Sequence, residues 1–295
     1  MIRYWRRYEL VITKENLETG HSPDWCPGCG NFAILKALET VLTELDIPHE
    51  KYVMATGIGC HGKLFNYVNL NGFHCIHGRV LPFATGIKLS NHDLTVLGFA
   101  GDGDAFDEGF DHFPHTARRN MDIKLFVHNN GVYGLTTGQT SPTSEVGYKS
   151  KTTPQGSVAL PINPVLIALS SDASFVARAF VGDLAHLTAL MKAAIEHPGF
   201  AFVDILQVCY TFNKMNTYKF YRDRVYKLEE DGHDPQDLDQ AMKRSREWGD
   251  RIPIGVFYQK ARPTYHSSLR QLKDGPLVRT ELMPTGLDEL MRELE

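Results

Sequence analysis

The chain has 295 residues, 42% of them hydrophobic and 22% charged, with a net charge of -4. That is a water-soluble composition, long enough for one large domain or two modest ones and for a core that needs no disulfide staples. The negative balance gives nucleic-acid binding no electrostatic support, and no apolar run reaches the ~18 residues of a membrane span.

Residues 1–25 read as an irregular entry segment, and the first ten mix Arg and Tyr without the apolar stretch of a signal peptide. Phe32, Leu35, Leu38, Leu42 and Leu45 recur at helical spacing and predict a helix over 31–45. The apolar run 52–55 predicts a strand that enters the tight loop Thr56–Gly57–Ile58–Gly59. A helix over 81–89 follows, then a strand over 94–100 that runs into Gly101–Asp102–Gly103. A helix over 105–118 leads to a strand over 123–128, ending at Asn129–Asn130. A helix at 165–169, a strand at 174–180, a helix at 184–196 and a strand at 201–208 complete the series.

Strands alternating with helices predict an α/β fold, a parallel sheet with helices on both faces and right-handed crossovers. In such sheets a ligand lies beyond the carboxyl ends of the strands. Residues 56–60, 101–103, 129–130 and 209 all fall just after predicted strands. The character changes after residue 216: the last 79 residues hold 14 Lys or Arg and 15 Asp or Glu, and Pro253, Pro263, Pro276 and Pro284 interrupt any long helix. The expected organisation is a ligand-binding domain over 1–216 and an extended tail over 217–295 that wraps a partner. A solvated tail is the bland alternative.

Gly101–Asp102–Gly103 and Asn129–Asn130 suit a diphosphate with its metal. Glycines let backbone approach concentrated negative charge, and a following helix N-terminus offers free N–H groups. Mg²⁺ takes hard oxygen ligands, here the Asp102 carboxylate, the Asn130 amide oxygen and a backbone carbonyl shortly after. A lone Gly-Asp-Gly is a common turn; the Asn pair ending the next strand makes the combination specific. Cys26 and Cys29 form a C-x-x-C, while Cys60, Cys75 and Cys209 are single. Five cysteines without an export signal suggest free thiols, metal ligands or catalysis rather than disulfides, in a cytoplasmic protein. From spacing alone, an iron–sulfur cluster, a zinc site and unrelated buried cysteines all stay open.

The glycine-rich pair of loops resembles the binding motif of thiamin-diphosphate enzymes. Trp25–Cys26–Pro27–Gly28–Cys29–Gly30, Gly57–Ile58–Gly59–Cys60, His77–Gly78–Arg79 and Gly86–Ile87–Lys88 together resemble the β subunit of two-subunit 2-oxoacid:ferredoxin oxidoreductases, over roughly residues 22–210. The resemblance implies thiamin diphosphate, Mg²⁺ on Asp102, Asn130 and the Val132 carbonyl, and one [4Fe–4S] cluster on Cys26, Cys29, Cys60 and Cys209. It places Ile58, Gly59, His77, Gly78, Arg79, Gly101, Gly103, Asp104, Tyr133 and Gly134 about the cofactor, and Lys63 and Leu135 beside the substrate. For Lys63 the bland reading is a surface lysine, for His77 and Arg79 a structural pair on a loop, and Cys75 reads as a buried small residue.

The activity so implied is reversible oxidative decarboxylation of a 2-oxoacid to acyl-CoA and CO2, with electrons passing to ferredoxin. 2-Oxoglutarate is the first choice of substrate and pyruvate the second. A larger α subunit is implied, in a dimer of αβ pairs; any further clusters would sit on another chain. The rivals are a non-oxidative thiamin-dependent decarboxylase subunit, against which the four cysteines argue, and a non-enzymatic electron-relay subunit, against which the diphosphate motif argues.

Overall fold

The computed structural model describes residues 12–280 and 291–293; the first ten residues, read above as no signal peptide, lie outside them. The apolar runs build one eight-stranded sheet from β1 (Tyr52–Thr56), β2 (Asn71–His74), β3 (Thr95–Gly101), β4 (Ile123–Asn129), β7 (Phe175–Phe180), β8 (Ala201–Leu206), β9 (Val225–Lys227) and β10 (Ile252–Gln259). A separate ribbon pairs β5 (Val132–Tyr133) with β6 (Gln139–Thr140). Among the described residues the sheet order is β2-β1-β3-β4-β8-β7-β10-β9, and within this sheet only the β10–β7 pair is antiparallel. Every residue of β4, β7 and β8 is buried. Those strands are mostly apolar, as strands covered on both faces are, and their buried polar members are Lys124, His128, Asn129, Arg178 and Asp204.

Alternate strand residues feed two cores. Met54, Leu97 and Phe99 pack with the helices Asn31–Glu44 and Leu184–Glu196, while Val96, Leu125 and Phe202 pack with Val80–Ser90, His112–Arg118 and Pro164–Ser170. Local chemistry fixes the helix starts. The Asp183 side chain accepts the His186 N–H, and Asn163 accepts the Leu166 N–H ahead of Pro164 at the first helical position.

Three expectations change. The helix expected over 105–118 is split into a π turn, Asp104–Glu108, and an α-helix, His112–Arg118. Gly109 and Gly78 meet at the break; a Cβ on Gly109 would stand 2.7 Å from the Gly78 carbonyl. The edge strand β2 is largely exposed and had no alternation to announce it. The tail is not extended throughout. β9 and β10 extend the sheet, with Ile252, Ile254 and Phe257 buried. Pro253 and Gly255 break the apolar period of β10, which hid it from a reading by pattern.

The half-buried His197 follows the helix Leu184–Glu196. His197 Nε2 lies 2.9 Å from Ser174 Oγ. Burial first, then nearby Lys124, lowers its pKa from 6.5 to about 4. The unfolded chain thus binds a proton between about pH 6.5 and 4 that the fold refuses. Thermal stability is expected to fall as pH drops through that window, and His197→Gln to flatten the fall. Melting curves across the window check this.

Candidate active site

β3 and β4 are parallel neighbours with Gly101 opposite His128, so the loops bearing Asp102 and Asn130 emerge side by side. Asp102 is 1% exposed. Its Oδ2 accepts hydrogen bonds from the Ser141 hydroxyl and, at 2.6 Å, the Thr143 hydroxyl; its Oδ1 lies 3.4 Å from the Asn130 backbone nitrogen. Burial pushes the Asp102 carboxyl above the usual carboxylate range despite these bonds. A cation placed beside it relieves that penalty.

Asn130 is held in one orientation. Its Nδ2 donates to Gln207 Oε1 at 3.2 Å, and its Oδ1 accepts the Val132 N–H at 3.0 Å while keeping a second lone pair. Gly131 sits between them at φ 66°, a left-handed turn that glycine takes cheaply and that returns Val132 to the same loop. Asp102, Asn130 and Val132 line one cavity with Ile58, Gly59, His77, Gly101, Gly103, Asp104, Tyr133, Gly134 and Leu135. A carboxylate, an amide oxygen and a carbonyl are the hard donors that Mg²⁺ selects.

Asp104 lines the same cavity but spends its charge on the protein. Its Oδ1 lies 2.7 Å from His77 Nδ1 and accepts the Gly78 N–H at 2.7 Å, and His61 Nε2 stands 3.5 Å from Oδ2. Burial alone would raise its pKa; the neighbouring His61 ring and the bond to His77 more than offset that and lower it to about 2. Gly78 and Arg79 do not line the cavity. They are struts: the Arg79 guanidinium donates to the Glu108 carbonyl at 2.8 Å, fixing one loop on the other. The Tyr133 hydroxyl donates to Asp107 at 2.6 Å, and burial with that bond holds the phenol neutral.

Cys26, Cys29, Cys60 and Cys209 line a second cavity, and Cys75, 2% exposed, lies elsewhere. Gly134 keeps the space between two of the thiols, because a Cβ there would stand 3.6 Å from Cys60 Sγ and 3.8 Å from Cys209 Sγ. Burial first, with Cys209 and Cys60 nearby, pushes the Cys29 thiol up to about 11. Thiolates collected around one cavity repel one another until a positively charged centre binds them. Among the described residues, no three His, Cys, Asp or Glu side chains converge tightly enough to hold a single metal ion. Trp25 braces the loop by donating Nε1–H to the Cys60 carbonyl at 2.7 Å. The two cavities share Cys60, Asn130, Gly134 and Leu135 as a common wall.

Lys63 lines the thiol cavity and not the cavity of Asp102; its Nζ lies 2.8 Å from Asp24 Oδ1. Sequence reading missed Ser141, Thr143 and Gln207. The hydroxyl-rich run Thr140–Ser141–Pro142–Thr143–Ser144 was the available signal for the first two; Gln207, inside an apolar strand end, gave none. Among the described residues, no helix is long and apolar enough to cross a membrane.

Residues 57–205 match the family described as "Thiamine pyrophosphate enzyme, C-terminal TPP binding domain", and residues 209–274 match the family of C-terminal regions from the beta chain of pyruvate ferredoxin oxidoreductase. The chain is 47% identical over 248 residues to the 2-oxoacid:ferredoxin oxidoreductase subunit beta of Saccharolobus solfataricus, spanning 80% of this chain and 81% of the relative. It is 34% identical over 250 residues to the 2-oxoglutarate synthase subunit KorB of Methanocaldococcus jannaschii, spanning 84% of this chain and 92% of the relative. A solved structure, the 2-oxoglutarate:ferredoxin oxidoreductase from Magnetococcus marinus with 2-oxoglutarate, coenzyme A and succinyl-CoA bound, superposes with a TM-score of 0.88 at 36% identity, over 98% of both chains.

Proposed function

Because this chain belongs to the β subunits of the 2-oxoacid:ferredoxin oxidoreductases, we propose that it carries the cofactor half of an enzyme that reversibly converts a 2-oxoacid and coenzyme A to acyl-CoA and CO2, reducing ferredoxin. 2-Oxoglutarate is the preferred substrate and pyruvate the second. The observation that carries this reading is the wall common to the two cavities, Cys60, Asn130, Gly134 and Leu135. It sets the place where electrons are released against the place where they are collected.

Thiamin diphosphate, when bound, supplies the nucleophilic carbon and the electron sink for loss of CO2. Asp102, Asn130 and the Val132 carbonyl hold Mg²⁺ on its diphosphate. Asp104 fixes His77 at the cavity edge, and Leu135 closes the wall toward the thiols. Cys26, Cys29, Cys60 and Cys209 hold a [4Fe–4S] cluster. Four thiols lining one cavity are the ligand set that a [4Fe–4S] cluster takes.

Lys63 remains the candidate for the substrate carboxylate. Its bond to Asp24 is solvent-exposed, with the Asp24 side chain 66% accessible, and exposed pairs are worth only about 0–1 kcal/mol, so a substrate can displace Asp24. Lys63→Ala is expected to raise KM for 2-oxoglutarate about ten-fold or more, as loss of a charge-assisted bond of about 1.5–3 kcal/mol implies. Steady-state kinetics with thiamin diphosphate affinity as the control decide it.

The reading includes an α partner, a dimer of αβ pairs and a cytoplasmic setting. Free cysteines suit a reducing compartment. Exposed Trp248, Leu277 and Val278 in the segment beyond residue 216 offer a partner apolar surface. The test is to reconstitute the chain with iron, sulfide, Mg²⁺ and thiamin diphosphate, with and without the α chain, and follow coenzyme-A-dependent reduction of a viologen dye. Turnover is expected only with α. CO2 release without dye reduction would reject the oxidative reading, and turnover by this chain alone would reject the partner.

A further inference from the structure

Gln207 lies just past β8 and is 1% exposed. Its side chain lines the thiol cavity and links Cys29 to Asn130, which lines both cavities. Nε2 donates to Cys29 Sγ at 3.4 Å, and Oε1 accepts from Asn130 Nδ2 at 3.2 Å. The rest of Asn130 is then determined. With Nδ2 turned to Gln207, Oδ1 is the atom left for the diphosphate cavity, where Asn130 also stands. Both amides point the same way. An N–H faces the sulfur, which as a thiolate needs donors, and a carbonyl oxygen remains at the far end, where a hard cation needs an acceptor. Reversing either amide would set like atoms against each other at the Gln207–Asn130 contact.

We propose that Gln207 is a positioning residue that couples the two cofactor sites, orienting Asn130 toward the diphosphate metal while donating a hydrogen bond to the cluster ligand Cys29. This rests on the functional reading above. Two physical effects follow. A hydrogen bond to a cluster sulfur stabilises the reduced, more negative state and so raises the reduction potential. Two amides in series also polarise each other, so a dication at the Asn130 end strengthens the donor at the Cys29 end. Charging the diphosphate site with Mg²⁺ therefore makes the cluster a better electron acceptor.

The test uses the complex with its α partner. The cluster midpoint potential is read by spectroscopically monitored titration, with and without Mg²⁺ and thiamin diphosphate. The apparent Mg²⁺ affinity at saturating thiamin diphosphate is read by calorimetry. Wild type is expected to show a higher potential when Mg²⁺ is present. Gln207→Leu, close in size but without the amide, is expected to lower the potential, to lose its response to Mg²⁺ and to weaken Mg²⁺ binding about five-fold or more. Gln207→Glu provides a second variant should Gln207→Leu fold poorly. It keeps the acceptor for Asn130 and loses the donor to Cys29, so Mg²⁺ binding should hold while the potential falls. Unchanged potential and Mg²⁺ affinity in either folded, iron-replete variant overturn the proposal, as does a Mg²⁺ response of the potential that survives Gln207→Leu. A wild type without iron or without Mg²⁺-dependent cofactor binding would instead sink the functional reading itself.

Discussion

Asp102→Asn is expected to lose Mg²⁺-dependent thiamin diphosphate binding by at least two orders of magnitude while leaving the fold intact. The Asp102 carboxyl is 1% exposed, held by Ser141 and Thr143, and pushed upward by burial. Its charge is therefore a cost to the cofactor-free protein. An asparagine keeps an oxygen to accept the hydroxyl bonds and removes that cost, so melting temperature in the absence of cofactor should hold or rise. With the cofactor the balance reverses. A diphosphate drawn into a largely enclosed site without its metal is an uncompensated charge, and breaking such a pair costs about 3–5 kcal/mol. That corresponds to roughly 10²–10³-fold or more in affinity. Asp102→Ala should do the same and also strand the two hydroxyls. Calorimetric titration with thiamin diphosphate at fixed Mg²⁺ decides it. An unaltered affinity in Asp102→Asn would remove Asp102 from the metal site.

What the sequence made legible follows from which forces are local. The buried strands β3, β4, β7 and β8 and the helices Asn31–Glu44 and Leu184–Glu196 stand within two residues of the predicted bounds, because burial writes itself into apolar period. Asp102 and Asn130 came together because parallel neighbours place successive loops at one end of the sheet. The missed residues are those whose role is set by long-range contact. Ser141 and Thr143 reach Asp102 from a ribbon with no core of its own, and Gln207 reads as one more residue near an apolar strand. β10 was hidden by Pro253 and Gly255. Yet it pairs antiparallel with β7, and its Phe257, with Trp248, stands 5.4 Å from the buried Arg178 guanidinium. Motif resemblance supplied the four-cysteine set; spacing alone left zinc open.

Cys209→Ser is expected to cost the protein its iron and sulfide, or leave a labile cluster, whereas Cys75→Ser keeps both. Cys209 stands three residues past β8 and shares a cavity with Cys26, Cys29 and Cys60. Its sulfur and that of Cys60 both lie close to Gly134, 3.8 and 3.6 Å from where a Cβ would stand. A serine there is nearly isosteric but offers a hard, protonated oxygen where the soft metal wants a thiolate. Cys75 is 2% exposed and does not line the cavity of the other four cysteines, and burial first, then the Asp104 charge, pushes its thiol to about 11. Thiamin diphosphate affinity should survive in both variants, because Asp102, Asn130 and Val132 are untouched. The consequence for turnover is large. Without the cluster the electrons have no exit, and dye reduction should fall at least about a hundred-fold, close to 3 kcal/mol in the barrier. Iron and sulfide counts on anaerobically purified complex, with the visible absorption spectrum beside them, separate the two cysteines. Equal iron in Cys209→Ser and Cys75→Ser, or stoichiometric zinc in the wild type, would end the assignment of this cavity to an iron–sulfur cluster.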